Sequence, residues 1–114
     1  HLKNSSNCKL DDFCEMVART AEIMDVKNLG IGSDLCLNQP DEIVEWMRNG
    51  TWTKKKVYGE GSVSNVGFPD QPSWFKDARG FKNIENGLKK IGFNSDEING
   101  ILGNNWYNFY KGIN

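Results

Sequence analysis

Histidine, cysteine, proline and long apolar runs are all scarce in this chain. Its 114 residues include one histidine, three cysteines and three prolines. Cys8, Cys14 and Cys36 form no CxxC pair and are odd in number, so the sequence indicates neither a zinc finger nor a disulfide framework. No apolar run approaches the roughly 20 residues of a membrane span, and the first residues lack the pattern of a signal peptide. The sequence therefore assigns no compartment.

An excess of one charge is also lacking. Lysine and arginine number 14, aspartate and glutamate number 15, and the formal net charge is -1. Because no strong field would attract a polyanion, we expect no nucleic-acid partner. The length predicts a single segment over residues 1–114.

A helix followed by a short strand is predicted in the first third of the chain. Apolar residues recur on one helical face over residues 10–25. Residues 28–33 then have the composition of a short buried strand, because Leu29 and Ile31 are apolar and alternate with glycine. Helix, short loop and buried strand form half of an alternating α/β repeat.

Asp34 ends this predicted strand, at the point where α/β folds place their chemistry. Gly30 and Gly32 are expected to leave space for packing beside the cleft. An enclosed carboxylate next to an activated water is suited to proton transfer, whereas many aspartates after strands only stabilise a turn. From the residues alone, both roles stay open for Asp34.

Residues 51–80 predict a long irregular loop, because glycine and proline interrupt every periodicity. Its scattered aromatic residues could line a ligand pocket or anchor the loop to the body, and anchoring is favoured because a long loop needs apolar contacts to stay ordered. These aromatic residues are Trp52, Tyr58, Phe68, Trp74 and Phe75.

A terminal helical hairpin is predicted over residues 82–112. Gly92 is expected to end the first helix, and Asn94 to begin the second with Glu97 as its capping-box partner. The interruption at Gly103–Asn105 is expected to bend the second helix. Asn105 is expected to bond to backbone groups near that bend.

Four blocks of sequence have an order and spacing typical of one enzyme family. They are Gly30–Asp34 (GIGSD), Arg79–Ile84 (RGFKNI), Gly92–Ile98 (GFNSDEI) and Ile101–Trp106 (ILGNNW). Together they resemble the C-terminal portion of the membrane dipeptidase (renal dipeptidase) family of zinc metallopeptidases, over roughly residues 10–112. The chain departs from the family pattern after Asp34, where Leu35-Cys36-Leu37 replaces an acidic residue and a glycine.

The resemblance implies the C-terminal part of a (β/α)8 barrel, made of the last strand, the terminal helices and a long cleft loop. It further implies an enzyme that binds two zinc ions and hydrolyses dipeptides or similar small amides with a metal-bridging water. Asp34 matches the family's catalytic aspartate, which takes a proton from that water, passes it to the leaving amine and helps to hold the substrate's amino group.

His1 is the single histidine and matches no ligand position of the family. The resemblance therefore implies that the zinc ligands lie outside this segment, in a missing N-terminal part of the barrel, and that the segment alone is inactive. A homodimer stays an open alternative for its assembly.

Two other interpretations stay open at this stage. The chain could be a non-catalytic module that binds a small ligand or partner through the aromatic loop at residues 51–80. It could also be a structural fragment in which Asp34 only stabilises a turn.

Overall fold

The part of the chain that the computed structural model describes is helical. It comprises residues 4–33, 35, 40, 42, 43, 46 and 71–113, which fall in two units, residues 1–34 with 72–114 and residues 35–71. No helix among these residues is long and apolar enough to cross a membrane. In the second unit, the backbone N–H of Ile43 donates to the carbonyl of Pro40 (3.0 Å).

Four α-helices and one π-helical turn are described in the first unit. They are α1 (Leu10–Met24), α2 (Phe81–Lys90), α3 (Ser95–Asn99), the π-helical turn Gly100–Asn104 and α4 (Asn105–Gly112). Short 3-10 turns occupy Ser5–Asn7, Val26–Asn28 and Ala78–Gly80.

The predicted α/β fold, and with it the C-terminal part of a (β/α)8 barrel, is wrong. No strand occurs among the described residues, and the predicted strand at 28–33 starts inside the turn Val26–Asn28. Leu29 has extended backbone angles (φ -95°, ψ 138°), but a strand also needs a ladder with a neighbouring strand. Here the N–H of Ile31 donates to the carbonyl of Ile101 in the π-helical turn instead. The first unit is a small all-helical domain in its described residues.

Helix α1 spans Leu10–Met24 and confirms the helix predicted over residues 10–25. Its buried side chains are Cys14 and Val17, which are separated by about one helical turn. The apolar face ends earlier than expected, because Met24 is 51% exposed.

The core lies where α1 meets α2. Its most deeply buried side chains are Cys14, Ile84, Leu88 and Ile101. Gly87 allows the close approach of the two helices, because a Cβ at this position would lie 2.6 Å from the sulfur of Cys14. The absence of a side chain on α2 therefore makes room for the thiol of α1.

Burial raises the pKa of the Cys14 thiol from its ordinary 9.0 to about 11, and the nearby charge of Asp11 acts in the same direction. At pH 8 only about 0.1% of such a thiol is the reactive thiolate. We expect iodoacetamide to modify Cys14 far more slowly in the folded chain than in denaturant, as measured by mass spectrometry of the Cys14 peptide. Equal rates in the two states would contradict this burial.

The same pKa shift fixes the direction of a pH dependence. Because the folded thiol has a pKa above the unfolded value of 9.0, its contribution to stability is fully present below pH 9 and is lost as pH rises through about 11. Between pH 9 and about 11, the free energy of unfolding of a Cys14→Ala variant should therefore fall less than that of the wild-type chain, as measured by urea unfolding at each pH.

Gly92 ends α2 as predicted. It has a positive φ of +108°, which glycine adopts without strain. Its N–H donates to the carbonyl of Lys89 (3.2 Å), and the N–H of Phe93 donates to that of Leu88 (3.2 Å). This pair of bonds is a Schellman motif, which satisfies the last carbonyls of the helix.

The predicted capping box at the start of α3 is confirmed. Oδ1 of Asn94 accepts from the N–H groups of Asp96 and Glu97, both at 3.0 Å. The side chain of Glu97 accepts in return from the N–H of Asn94 at 2.9 Å. Side chains therefore satisfy two backbone donors of α3 and that of its N-cap residue, Asn94.

Replacing Asn94 with alanine removes this cap, and we expect the free energy of unfolding to fall by about 1 kcal/mol. Urea unfolding followed by circular dichroism measures the change. Glu97→Gln is the matched control, because its amide oxygen can still accept from the backbone of Asn94. A control loss as large as that of Asn94→Ala would show that the cap does not account for the effect.

Candidate functional site

The sequence places the candidate site at Asp34, which lies outside the described residues. The chain that leads to it is described as far as Ser33. The structure therefore shows which hydrogen bonds and contacts hold the backbone of the preceding residues, up to Ser33.

Asn105 joins the turn after α1 to the start of α4. Its amide nitrogen donates to the carbonyl of Val26 (2.8 Å) and to that of Leu29 (2.7 Å), in a part-buried position. A primary amide carries two N–H donors, so both are used. Gly100 makes room for this side chain, because a Cβ there would lie 2.8 Å from Oδ1 of Asn105. The predicted role of this asparagine in satisfying backbone groups is confirmed.

Ile31 is held at both of its backbone polar groups. Its N–H donates to the carbonyl of Ile101 (3.3 Å), and its carbonyl accepts from the indole N–H of Trp106 (3.3 Å). The indole lies so close to Gly30 that a Cβ at that position would overlap the ring. Gly30 therefore leaves packing space as predicted, whereas a Cβ at Gly32 would meet no described atom within 4 Å.

The π-helical turn explains why a helix carbonyl can bond to Ile31. In an α-helix the N–H of Asn105 would donate to Ile101, but here it donates to Gly100, one residue further back. The carbonyl of Ile101 accepts instead from Ile31. Gly103 has non-helical angles within this turn (φ 174°, ψ -37°), which confirms the interruption predicted at Gly103–Asn105.

An apolar groove of about 230 Å³ lies beside residues 29–32. Its one polar side chain, Thr20, already donates its hydroxyl to the carbonyl of Met16 (2.8 Å). The groove thus offers apolar surface without charge. It is lined by Phe13, Met16, Val17, Thr20, Leu29, Gly30, Ile31, Gly32 and Ile101.

The described end of the aromatic loop is anchored to the body. The indole N–H of Trp74 donates to the carbonyl of Cys8 (2.7 Å), and its ring lies 5.2 Å from that of Phe13. Phe75 is buried and contacts Phe81 edge-on at 5.1 Å. Trp74 and Phe75 therefore anchor this end of the loop, which is the role that the sequence favoured over lining a ligand pocket. The other three aromatic residues of the loop lie outside the described residues: Trp52, Tyr58 and Phe68.

The described residues do not fit a zinc centre. Among them no three histidine, cysteine, aspartate or glutamate side chains lie together as a metal-ligand set, and His1 lies outside the described residues. The side chain of Lys27 bonds to Asp25 and that of Arg79 bonds to Asp77, which lowers the pKa of each carboxyl group. These two carboxylates are therefore surface anions paired with cations, and neither is poised to carry protons near neutral pH.

Comparisons of the chain with protein-family models, with curated proteins and with solved structures found no match. The functional hypothesis therefore depends on the four sequence blocks and on the contacts between them.

Proposed function

We propose that this chain contributes Asp34 to the active site of a hydrolase related to the membrane dipeptidase family. The supporting observation is that the first and last of the four blocks are in direct contact. Ile31 of GIGSD bonds to Ile101 and to Trp106 of ILGNNW, the latter across 75 positions of sequence. Two of the blocks that produce the resemblance, GIGSD and ILGNNW, are therefore in contact through Ile31, and these contacts hold the backbone three residues before Asp34.

In the proposed reaction, water attacks the carbonyl carbon of a dipeptide or similar small amide. Asp34 takes one proton from the water as the new C–O bond forms. It delivers that proton to the amine nitrogen as the C–N bond breaks, so the carboxylate is regenerated. As an anion, it also accepts a hydrogen bond from the substrate's ammonium group.

The two zinc ions implied by the resemblance belong to the proposal as cofactors whose ligands lie outside this chain. The partner that would supply them is an N-terminal part of the same protein. The described residues supply the backbone that leads towards Asp34 as far as Ser33, and an apolar groove lined in part by Leu29, Ile31 and Ile101.

The product of the complete reading frame, purified with zinc present, tests this function. We expect it to release free amino acids from members of a dipeptide panel, and to lose this activity on chelation and regain it with zinc. The 114-residue chain alone should hydrolyse none of them and bind no stoichiometric zinc. Failure of the complete protein on every dipeptide, or tight binding of two zinc ions by the chain alone, would contradict the proposal.

A further inference from the structure

A second groove, of about 760 Å³ and open to solvent, lies between the C-terminal half of α1 and the turn that joins α2 to α3. Three large apolar side chains that the fold leaves exposed line it: Ile23 (84% exposed), Met24 (51%) and Ile91 (40%). Exposed apolar side chains gathered in one place are typical of surfaces that bind a partner.

The charged side chains that line this groove are all acidic. They are Glu22, Asp25 and Glu97, and no lysine or arginine among the described residues lines it. Lys27 pairs with Asp25 (3.2 Å) from outside the groove. Glu97 uses Oε2 in the capping box, and the side chain of Glu22 has no hydrogen-bond or ion-pair partner among the described residues. Two carboxylates therefore remain without a cation in the part of the chain that the structure describes.

The end of α1 has charges opposite to those that a helix C-terminus favours. The C-terminal end of a helix carries partial negative charge, so cations stabilise it and anions do not. Helix α1 has no basic residue in its last turn, which contains Glu22, and Asp25 follows as its C-cap. A cation brought by a partner offsets this unfavourable arrangement.

We infer that this acidic groove docks a basic amphipathic peptide segment of a partner protein. The apolar side chains of the segment cover the three exposed apolar side chains, and its lysines or arginines pair with Glu22 and Glu97. Nucleic acids are polyanions and the charged lipids of cytoplasmic membrane surfaces are anionic, so the carboxylates disfavour both. The groove is too open to enclose a small molecule as ligand pockets do. This inference goes beyond the proposed function and does not depend on Asp34.

Fluorescence anisotropy with the full 114-residue chain tests this inference. The probe is a labelled peptide of leucine and lysine, about 14 residues or four helical turns long, with its leucines on one face. The comparison peptide has glutamate in place of lysine. We expect the lysine peptide to bind about tenfold more tightly or better, and added salt to weaken it because the ion pairs are exposed. Equal affinities for the two peptides, or no binding of the lysine peptide, would overturn the inference.

Variants of the chain locate the binding surface. Glu22→Lys should weaken binding of the lysine peptide by about tenfold, because it places a like charge against the peptide. Ile23→Ala leaves the charge unchanged and should weaken binding by about threefold or more through lost apolar contact, which also serves if Glu22→Lys does not fold. Glu85→Lys is the matched control, since Glu85 pairs with Lys82 on α2 and does not line the groove. Its affinity should stay within about twofold of wild type. Equal losses in Glu85→Lys and Glu22→Lys, or wild-type affinity in Ile23→Ala, would overturn the inference.

Two further measurements distinguish other occupants of the groove. Sedimentation velocity of the chain alone reports self-association, and co-sedimentation with vesicles of phosphatidylcholine and phosphatidylserine reports membrane binding. We expect neither to change in Ile23→Ala. Self-association that this variant abolishes would assign the groove to a second copy of the chain, and vesicle binding that it abolishes would assign the groove to a lipid surface. Either result would overturn the assignment to a basic peptide.

Discussion

Replacing Asp34 with asparagine in the complete protein is expected to lower kcat by about 10²- to 10⁴-fold, the contribution typical of general acid–base catalysis. Asparagine has nearly the same shape and can still accept a hydrogen bond, but it cannot take up and release a proton at neutral pH. KM should change less than kcat, because most contacts with the substrate are retained. Steady-state kinetics over a range of dipeptide concentrations separate the two effects.

Asp96→Asn is the matched control for this change. Asp96 is an exposed carboxylate in α3, within another of the four sequence blocks, and the substitution alters charge and shape in the same way. Its kcat should stay within about twofold of wild type, as for most surface substitutions. Unfolding midpoints of both variants establish that folding is retained. Equal losses in the two variants, or an Asp34→Asn enzyme with half of the wild-type kcat, would remove Asp34 from the proposed mechanism.

Local interactions made several parts of the fold predictable from sequence. The capping box joins Asn94 to Glu97, three residues away, and the end of α2 depends on the positive φ of Gly92. Such features involve residues within one turn of each other, so the local sequence contains all of their determinants. The same holds for helix α1, whose apolar periodicity is visible in one short window.

The predicted strand at residues 28–33 failed because a strand depends on distant partners. Alternation of Leu29 and Ile31 with glycine is compatible with a strand, but it does not specify what bonds to the backbone. In the described structure, the partners of Ile31 are the carbonyl of Ile101 and the indole of Trp106. No local pattern encodes a contact across 75 residues.

The candidate site stays a prediction, because Asp34 lies outside the described residues, and only the packing of the chain that leads to it can be compared with the sequence. Asp34 was selected because it follows an apolar run and matches a family motif, but nothing in that run identifies Trp106 as a neighbour. One signal was available: Asn105 and Trp106 carry side-chain donors immediately after a glycine-interrupted helix. Most side-chain hydrogen bonds go to backbone groups or to water, and both of these side chains donate to backbone carbonyls, those of Leu29 and Ile31.

Leu88→Ala is expected to lower the free energy of unfolding of the chain by about 2–5 kcal/mol. Leu88 is 0% exposed on α2, beside the point where Gly87 brings this helix against Cys14. At the neighbouring Gly87 there is no room for a Cβ against Cys14 and Leu10, so the backbone has little freedom to collapse into the space that alanine would create. Urea unfolding gives the free energy, with the m-value as a check that the transition stays two-state.

The size of that loss depends on burial, and a second aliphatic residue tests this dependence. Ile23 lies on α1 and is 84% exposed, so Ile23→Ala removes a similar side chain without creating a cavity. We expect this variant to lose less than about 0.5 kcal/mol, the usual range for surface substitutions. Similar losses for the two variants would mean that the α1–α2 contact is not the core of the folded chain. A large loss for Leu88→Ala alone would locate the stability of the unit at the contact between α1 and α2.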